Sequence, residues 1–234
     1  VQNSHISQKQ DCNTKLENQQ LNRILLSLRQ ERIKRTMIMS LLVSALLLTI
    51  FFGTIENPFQ YTFSKIGNRF TVTNRILFIV WAAYTGFSIQ TSVLILFQLE
   101  CYDKKRQYIF IHIATVFLII SALSPSLDQL VFWTKIHLLS GGLFALFLSL
   151  GFTPFILWLA QNNPILKKTI YIWLTITWGG GITWYFLLGN TGMFEIWFFG
   201  FFILFLLYLS LHLFEKVIIS QSINLLSNSD NNQL

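Results

Sequence analysis

Six stretches of roughly twenty residues, each nearly free of charge, follow one another along this chain with only short polar connections between them. An α-helix rises 1.5 Å per residue, so about 20 apolar residues cross a hydrocarbon core of about 30 Å. Inside lipid a backbone must satisfy its own N–H and C=O groups, which a helix does within one segment. The stretches run from about Thr36 to Gly53, Asn74 to Gln98, Tyr108 to Leu123, Thr134 to Ala160, Thr169 to Leu188 and Phe194 to Phe214. The expected fold is therefore all-α, a polytopic transmembrane helical bundle of about six spans. Only 12% of residues are charged and mean hydropathy is +0.54, whereas a soluble domain carries about 25% charge. Little chain is left for an extramembrane domain. The reading is a tail with a basic helix over 1–35, a membrane domain over 36–214 and a polar tail over 215–234.

The net charge of +7 is informative by position. Lys9, Lys15, Arg23, Arg29, Arg32, Lys34 and Arg35 precede the first span; Lys104, Lys105 and Arg106 follow the second. Lys167 and Lys168 follow the fourth, and Lys216 follows the sixth. The other side receives Lys65, Arg69, Arg75 and Lys135. The positive-inside rule then places both termini in the cytoplasm, N-in and C-in, with a bacterial cytoplasmic membrane as the expected location. This asymmetry orients the protein and gives no reason to expect nucleic acid. The polar N-terminal stretch is too long and too charged for a signal-peptide n-region, and it is expected to stay attached.

Residues 1–20 are rich in Gln and Asn and are expected to be poorly ordered. Leu21, Ile24, Leu25, Leu28 and Ile33 then recur at helical spacing, with Arg23, Arg29, Arg32, Lys34 and Arg35 between them. That is an amphipathic basic helix expected to lie at the cytoplasmic interface, where acidic lipids attract it. Residues 21–35 are also a candidate docking element for a protein partner. Cys12 and Cys101 both fall on the cytoplasmic side, where thiols stay reduced, and no disulfide framework is expected. Cys101 sits at the membrane edge, open to acylation or left as a plain thiol.

Helices in lipid associate through small residues. Gly141, Ala145 and Ser149 form one such stripe, Thr177 and Gly181 a second, Ala82 and Gly86 a third. The triple Gly179–Gly180–Gly181 reads as close packing or a kink. Asn57-Pro58 and Gly67-Asn68 read as turns in the first outer connection. No repeat supports inverted transporter symmetry.

Ionisable and polar groups at membrane depth are functional candidates, because each is costly unless paired or wet. Glu56, Ser64, Lys65, Arg69, Arg75, Asp128, Lys135, His137 and Glu195 gather on the expected outer side. Arg69, Arg75 and Lys135 supply positive charge for a phosphate or carboxylate, with Asp128, His137 and Glu195 to orient them. Ser64, Asp128 and His137 are also the residue types of a nucleophile, an orienting acid and a base. The plainer reading of the same group is a hydrogen-bond and ion-pair network fixing the first outer loop over the bundle. Gln90, at mid-span in phase with Ala82 and Gly86, lines a cavity or bonds a neighbouring helix backbone. His112 and His212 lie roughly one membrane thickness from His137, so the three cannot share a metal. No metal and no cofactor are expected; haem held by His112 and His212 is the weaker alternative.

The segment NPFQYTFSKIGNRF, Arg75, the stretch FIVW at 78–81 and SPSLDQLVFWTKIH together resemble the bacterial membrane proteins catalogued as domain of unknown function 998. The matching positions are Asn57, Pro58, Ser64, Gly67, Asn68, Arg75, Trp81 and His137, over roughly 57–150. The resemblance implies a bundle of about six spans and brings no activity with it; the basic N-terminal extension lies outside it. Three functional expectations follow. The first is an uncharacterised multi-pass protein holding a lipid head group or small amphiphile at an outer polar pocket. The second is a lipid or envelope-precursor hydrolase or transferase using Ser64, Asp128 and His137. The third is a small transporter or a subunit of a larger complex.

Overall fold

The computed structural model describes the backbone of residues 2–127, 129–189 and 191–230, and within these ranges the side chains of 22, 25–220, 222 and 223. Contacts divide the chain into two units, Ile38–Ser210 and Val1–Met37 with Leu211–Leu234. The described residues hold helices and connections, with no strand among them. Among the described residues, five helical segments are long and apolar enough to cross a membrane: Leu25–Gly53, Val72–Leu99, Lys105–Leu123, Val131–Asn162 and Gly192–Ser220. Large apolar side chains such as Leu47, Phe87, Leu139 and Phe186 stay exposed on these and neighbouring helices. The chain is a multi-pass helical membrane protein.

The first helix, α1 (Gln2–Gly53), runs without interruption from the polar tail into the first span. One expectation is corrected by it: the tail is helical rather than poorly ordered. The physical reason is composition: residues 2–52 contain neither Gly nor Pro, so nothing ends a helix that the span nucleates. In the unit built from the early part of α1 and the late part of α8 (Gly192–Asp230), Lys34 pairs with Glu31 at 2.9 Å and Arg35 meets Glu215 at 3.8 Å. Leu28 is buried there, while Leu25 and Ile33 are exposed. Leu21, Ile24, Arg23 and the side chain of Cys12 lie outside the described side chains.

The larger unit begins with the end of α1 and a connection that holds a short helix, α2 (Phe63–Arg69). Thr62 caps it by accepting from the Lys65 N–H. Gly67 lies inside α2 and marks no turn. A Cβ there would come within 2.6 Å of Phe78, so glycine lets α2 press onto the next helix, α3 (Val72–Leu99). Then come α4 (Lys105–Leu123) and α5 (Val131–Asn162). The fifth apolar stretch is divided into α6 (Pro164–Leu174), a π-helical turn at Thr175–Gly179 and α7 (Gly180–Leu188). Its joins at Thr175 and Gly180 keep right-handed helical dihedrals, so the axis continues through the turn. Gly180 is the close approach here: a Cβ would lie 2.5 Å from Trp197 Nε1, whose N–H donates to the Ile176 carbonyl at 3.1 Å.

Aromatic rings form much of the core. Phe52, Phe63, Phe78 and Trp81 make one cluster, joined by Phe199 of α8, with Trp81 donating to Thr49 at 3.0 Å. Of the small-residue stripes, Ala82 is fully buried and a Cβ on Gly86 would meet Leu118 of α4 at 3.1 Å. The stripe on α5 is not its tightest contact. That is Gly151, where a Cβ would sit 2.7 Å from Ile111, while added bulk at Gly141 would find ordinary spacing at 3.6 Å. The buried face of α5 instead carries His137, Ser140, Phe144, Leu148 and Phe155, because ring packing sets its rotation.

Candidate functional site

Ser64, Lys65, Arg69, Arg75, His137 and Glu195 lie at the end of the bundle that carries α2. Helix termini meet there, those of α4 and α8 among them, with backbone groups left over as at every helix end. The last carbonyls of α4 are met by side chains from its two neighbours. Arg75 of α3 donates through Nη2 to the Leu123 carbonyl at 2.5 Å and through Nη1 to Asn68 Oδ1 at 2.7 Å. His137 of α5 donates from Nδ1 to the Ser121 carbonyl at 2.8 Å, and Ser121 Oγ returns to the His137 carbonyl at 3.2 Å. A cation at a helix C-terminus also suits the helix dipole.

The N-terminus of α8 is closed by the connection around α2. Gly192 N–H donates to the Tyr61 carbonyl at 3.0 Å and Met193 N–H to the Pro58 carbonyl at 2.9 Å. Glu195, in the first turn, accepts from the Phe63 N–H at 2.5 Å, and Lys65 lies within its electrostatic reach. Gly192 has no alternative, since a Cβ would overlap the Tyr61 carbonyl oxygen. Asn68 Nδ2 donates to the Ser64 carbonyl at 2.6 Å, which carries the network from α2 to Arg75.

Ser64 is buried, and its hydroxyl bonds to that of Thr62 at 3.0 Å. His137 is buried and bonds to Ser121. Neither bond joins the two residues. Asp128, the third member, lies outside the described residues. Lys135 and Arg69 are exposed, Arg69 with an interaction of its own, and Glu56 is half-buried. Gln90 bonds a side chain rather than a backbone group: its Nε2 lies 2.8 Å from His112 Nδ1, linking α3 to α4.

No family model, curated protein or solved structure matches the chain.

The residues that sequence reading missed are Ser121, Asn68 as a relay, and the carbonyls of Leu123, Tyr61 and Pro58. All five act through, or pair with, backbone groups that every residue type carries, so composition does not mark them. What the arrangement offers chemically is a half-buried guanidinium whose described partners, Asn68 and Leu123, are neutral oxygens. Five N–H donors belong to that group, and two are engaged by described residues.

Proposed function

We propose that the chain is a six-span protein of a bacterial cytoplasmic membrane, with both termini cytoplasmic, that binds an anionic head group or small amphiphile at its outer rim. The observation that carries this reading is Arg75: a half-buried cation held by neutral oxygens, with donors to spare. A phosphate or carboxylate would supply the missing charge in a bidentate fork. Exposed Lys135 lies near the start of α5, and Lys65 and Arg69 belong to α2, so further positive charge stands at the same end. Six spans are supported by the continuous axis of 164–188, which is long enough for a core of about 30 Å once its π turn is included. The orientation rests on the distribution of Lys and Arg. The likeness to domain of unknown function 998 fits this arrangement. Residues 21–35 would then meet acidic lipids or a partner protein on the cytoplasmic side.

The test is native mass spectrometry from nanodiscs of phosphatidylcholine with phosphatidylglycerol. Wild type is expected to retain phosphatidylglycerol in preference to phosphatidylcholine. Arg75→Lys, which keeps charge but loses the fork, and Lys135→Gln are each expected to weaken that preference. Displacement by inorganic phosphate would identify a free anion as the ligand. Equal retention of both lipids by wild type, with no effect of phosphate, would overturn the proposal.

A further inference from the structure

Backbone bonding is irregular in two neighbouring helices at one place in the bundle. Pro154 lies inside α5 and has no N–H to give to the carbonyl four residues earlier, that of Leu150. Across from it, Thr175–Gly179 adopts the π turn. Between them and α8 lies a small cavity lined by Ser149, Phe152, Thr153, Trp173, Thr177 and Phe198, among others. About 10 Å³ of it is open to the centre of a water molecule, which is room for one and no more.

Thr177 is the informative residue. It is 1% exposed, and its hydroxyl has no hydrogen-bond partner in the protein. Two other threonines of the 164–188 segment behave differently. Thr175 returns its hydroxyl to the Tyr171 carbonyl at 2.9 Å, and Thr183 to the Gly179 carbonyl at 2.8 Å. That is the usual way a helix in lipid hides a threonine. Ser149, also on the cavity wall, does the same to Ala145 at 2.7 Å. A buried hydroxyl left unpaired costs about 1–3 kcal/mol, and helix breaks in membranes are tolerated where water or side chains serve the freed groups.

We propose that this cavity is a binding site for a single water molecule, anchored by Thr177 Oγ1 and completed by Thr153 and by backbone oxygen freed at the break in α5. The wall offers neutral oxygens and aromatic rings and no carboxylate, which suits water over a cation. π turns recur at functional sites, and a hydrated one is a natural hinge for the 164–188 helix. The site is independent of the outer rim and of any ligand there.

Water-edited solid-state NMR of the threonine-labelled protein in lipid bilayers tests it. Magnetisation from water is expected to reach Thr177 and Thr153 early. Thr49 is equally buried but donates to the Ala45 carbonyl and accepts from Trp81; it serves as the dry control. Thr177→Val is expected to abolish the early transfer to Thr153 and to lower the melting temperature, while Thr177→Ser keeps both. Transfer to Thr177 no faster than to Thr49 would overturn the proposal. So would a Thr177→Val protein more stable than wild type, because removing an orphaned hydroxyl from a dry site is stabilising.

Discussion

The α2 end of the bundle and the α3–α4 connection solve one problem in opposite ways. At the α2 end, helix termini are closed by groups from distant parts of the chain: Arg75 and His137 on the carbonyls of α4, and the Pro58 and Tyr61 carbonyls on the N–H groups of α8. At the α3–α4 connection the chain closes its own terminus. Cys101 N–H donates to the Gln98 carbonyl at 3.2 Å and Tyr102 N–H to the Phe97 carbonyl at 2.8 Å, with Cys101 at φ 52. Those two bonds are the Schellman pattern, and the Tyr102 ring packs on Phe97 at 5.2 Å to complete it. Tyr102 also meets Phe155 and Trp158, and this burial raises its phenol above the ordinary value. A local closure needs only a turn. A remote closure draws on groups from elsewhere in the chain, here the Arg75, His137 and Glu195 side chains as well as the Pro58 and Tyr61 carbonyls.

The comparison breaks or sharpens by substitution, read as unfolding free energy in a denaturing-detergent titration. Gly192→Ala is expected to have the largest effect, a loss of about 2–3 kcal/mol, because its Cβ would overlap the Tyr61 carbonyl and part α8 from the α2 connection. Arg75→Leu comes next, at about 2 kcal/mol, since it strands Asn68 and the Leu123 carbonyl together. Arg75→Lys should recover part of that loss. Glu195→Ala should cost about 1 kcal/mol by leaving the Phe63 N–H unpaired. Cys101→Gly should have the smallest effect and the opposite sign, a gain within about 1 kcal/mol, because glycine carries no penalty in the left-handed region. If Cys101→Gly and Gly192→Ala shifted stability alike, the contrast between local and remote closure would be lost.

The helices were largely legible because lipid demands long uncharged runs, and such runs are hard to mistake. Arg75, His137 and Glu195 also stood out, as ionisable groups placed where charge is costly. Their partners did not. Leu123, Ser121 and Phe63 contribute a carbonyl or an N–H, which no side-chain type announces. Gly67 read as a turn because sequence shows the missing Cβ and not the Phe78 ring that requires it. The glycine triplet of the fifth stretch reads as close packing or a kink, but its partner is hidden for a similar reason. The three glycines permit a break, but Trp197 of α8, against which Gly180 packs, lies far along the chain. Gln90 was recognised as needing a partner, and His112, 2.8 Å away on the next helix, was identified only by the fold.

The central claim is that the polar residues of the α2 end act as one network in which Arg75 and Asn68 hold each other and the end of α4. A double-mutant cycle with Arg75→Leu and Asn68→Ala measures this most directly. Hydrogen bonds between membrane helices couple by about 0.6 kcal/mol on average, and a charged donor belongs at the upper end, so a coupling of about 1–2 kcal/mol is predicted. Strictly additive losses, with coupling near zero, would contradict the account.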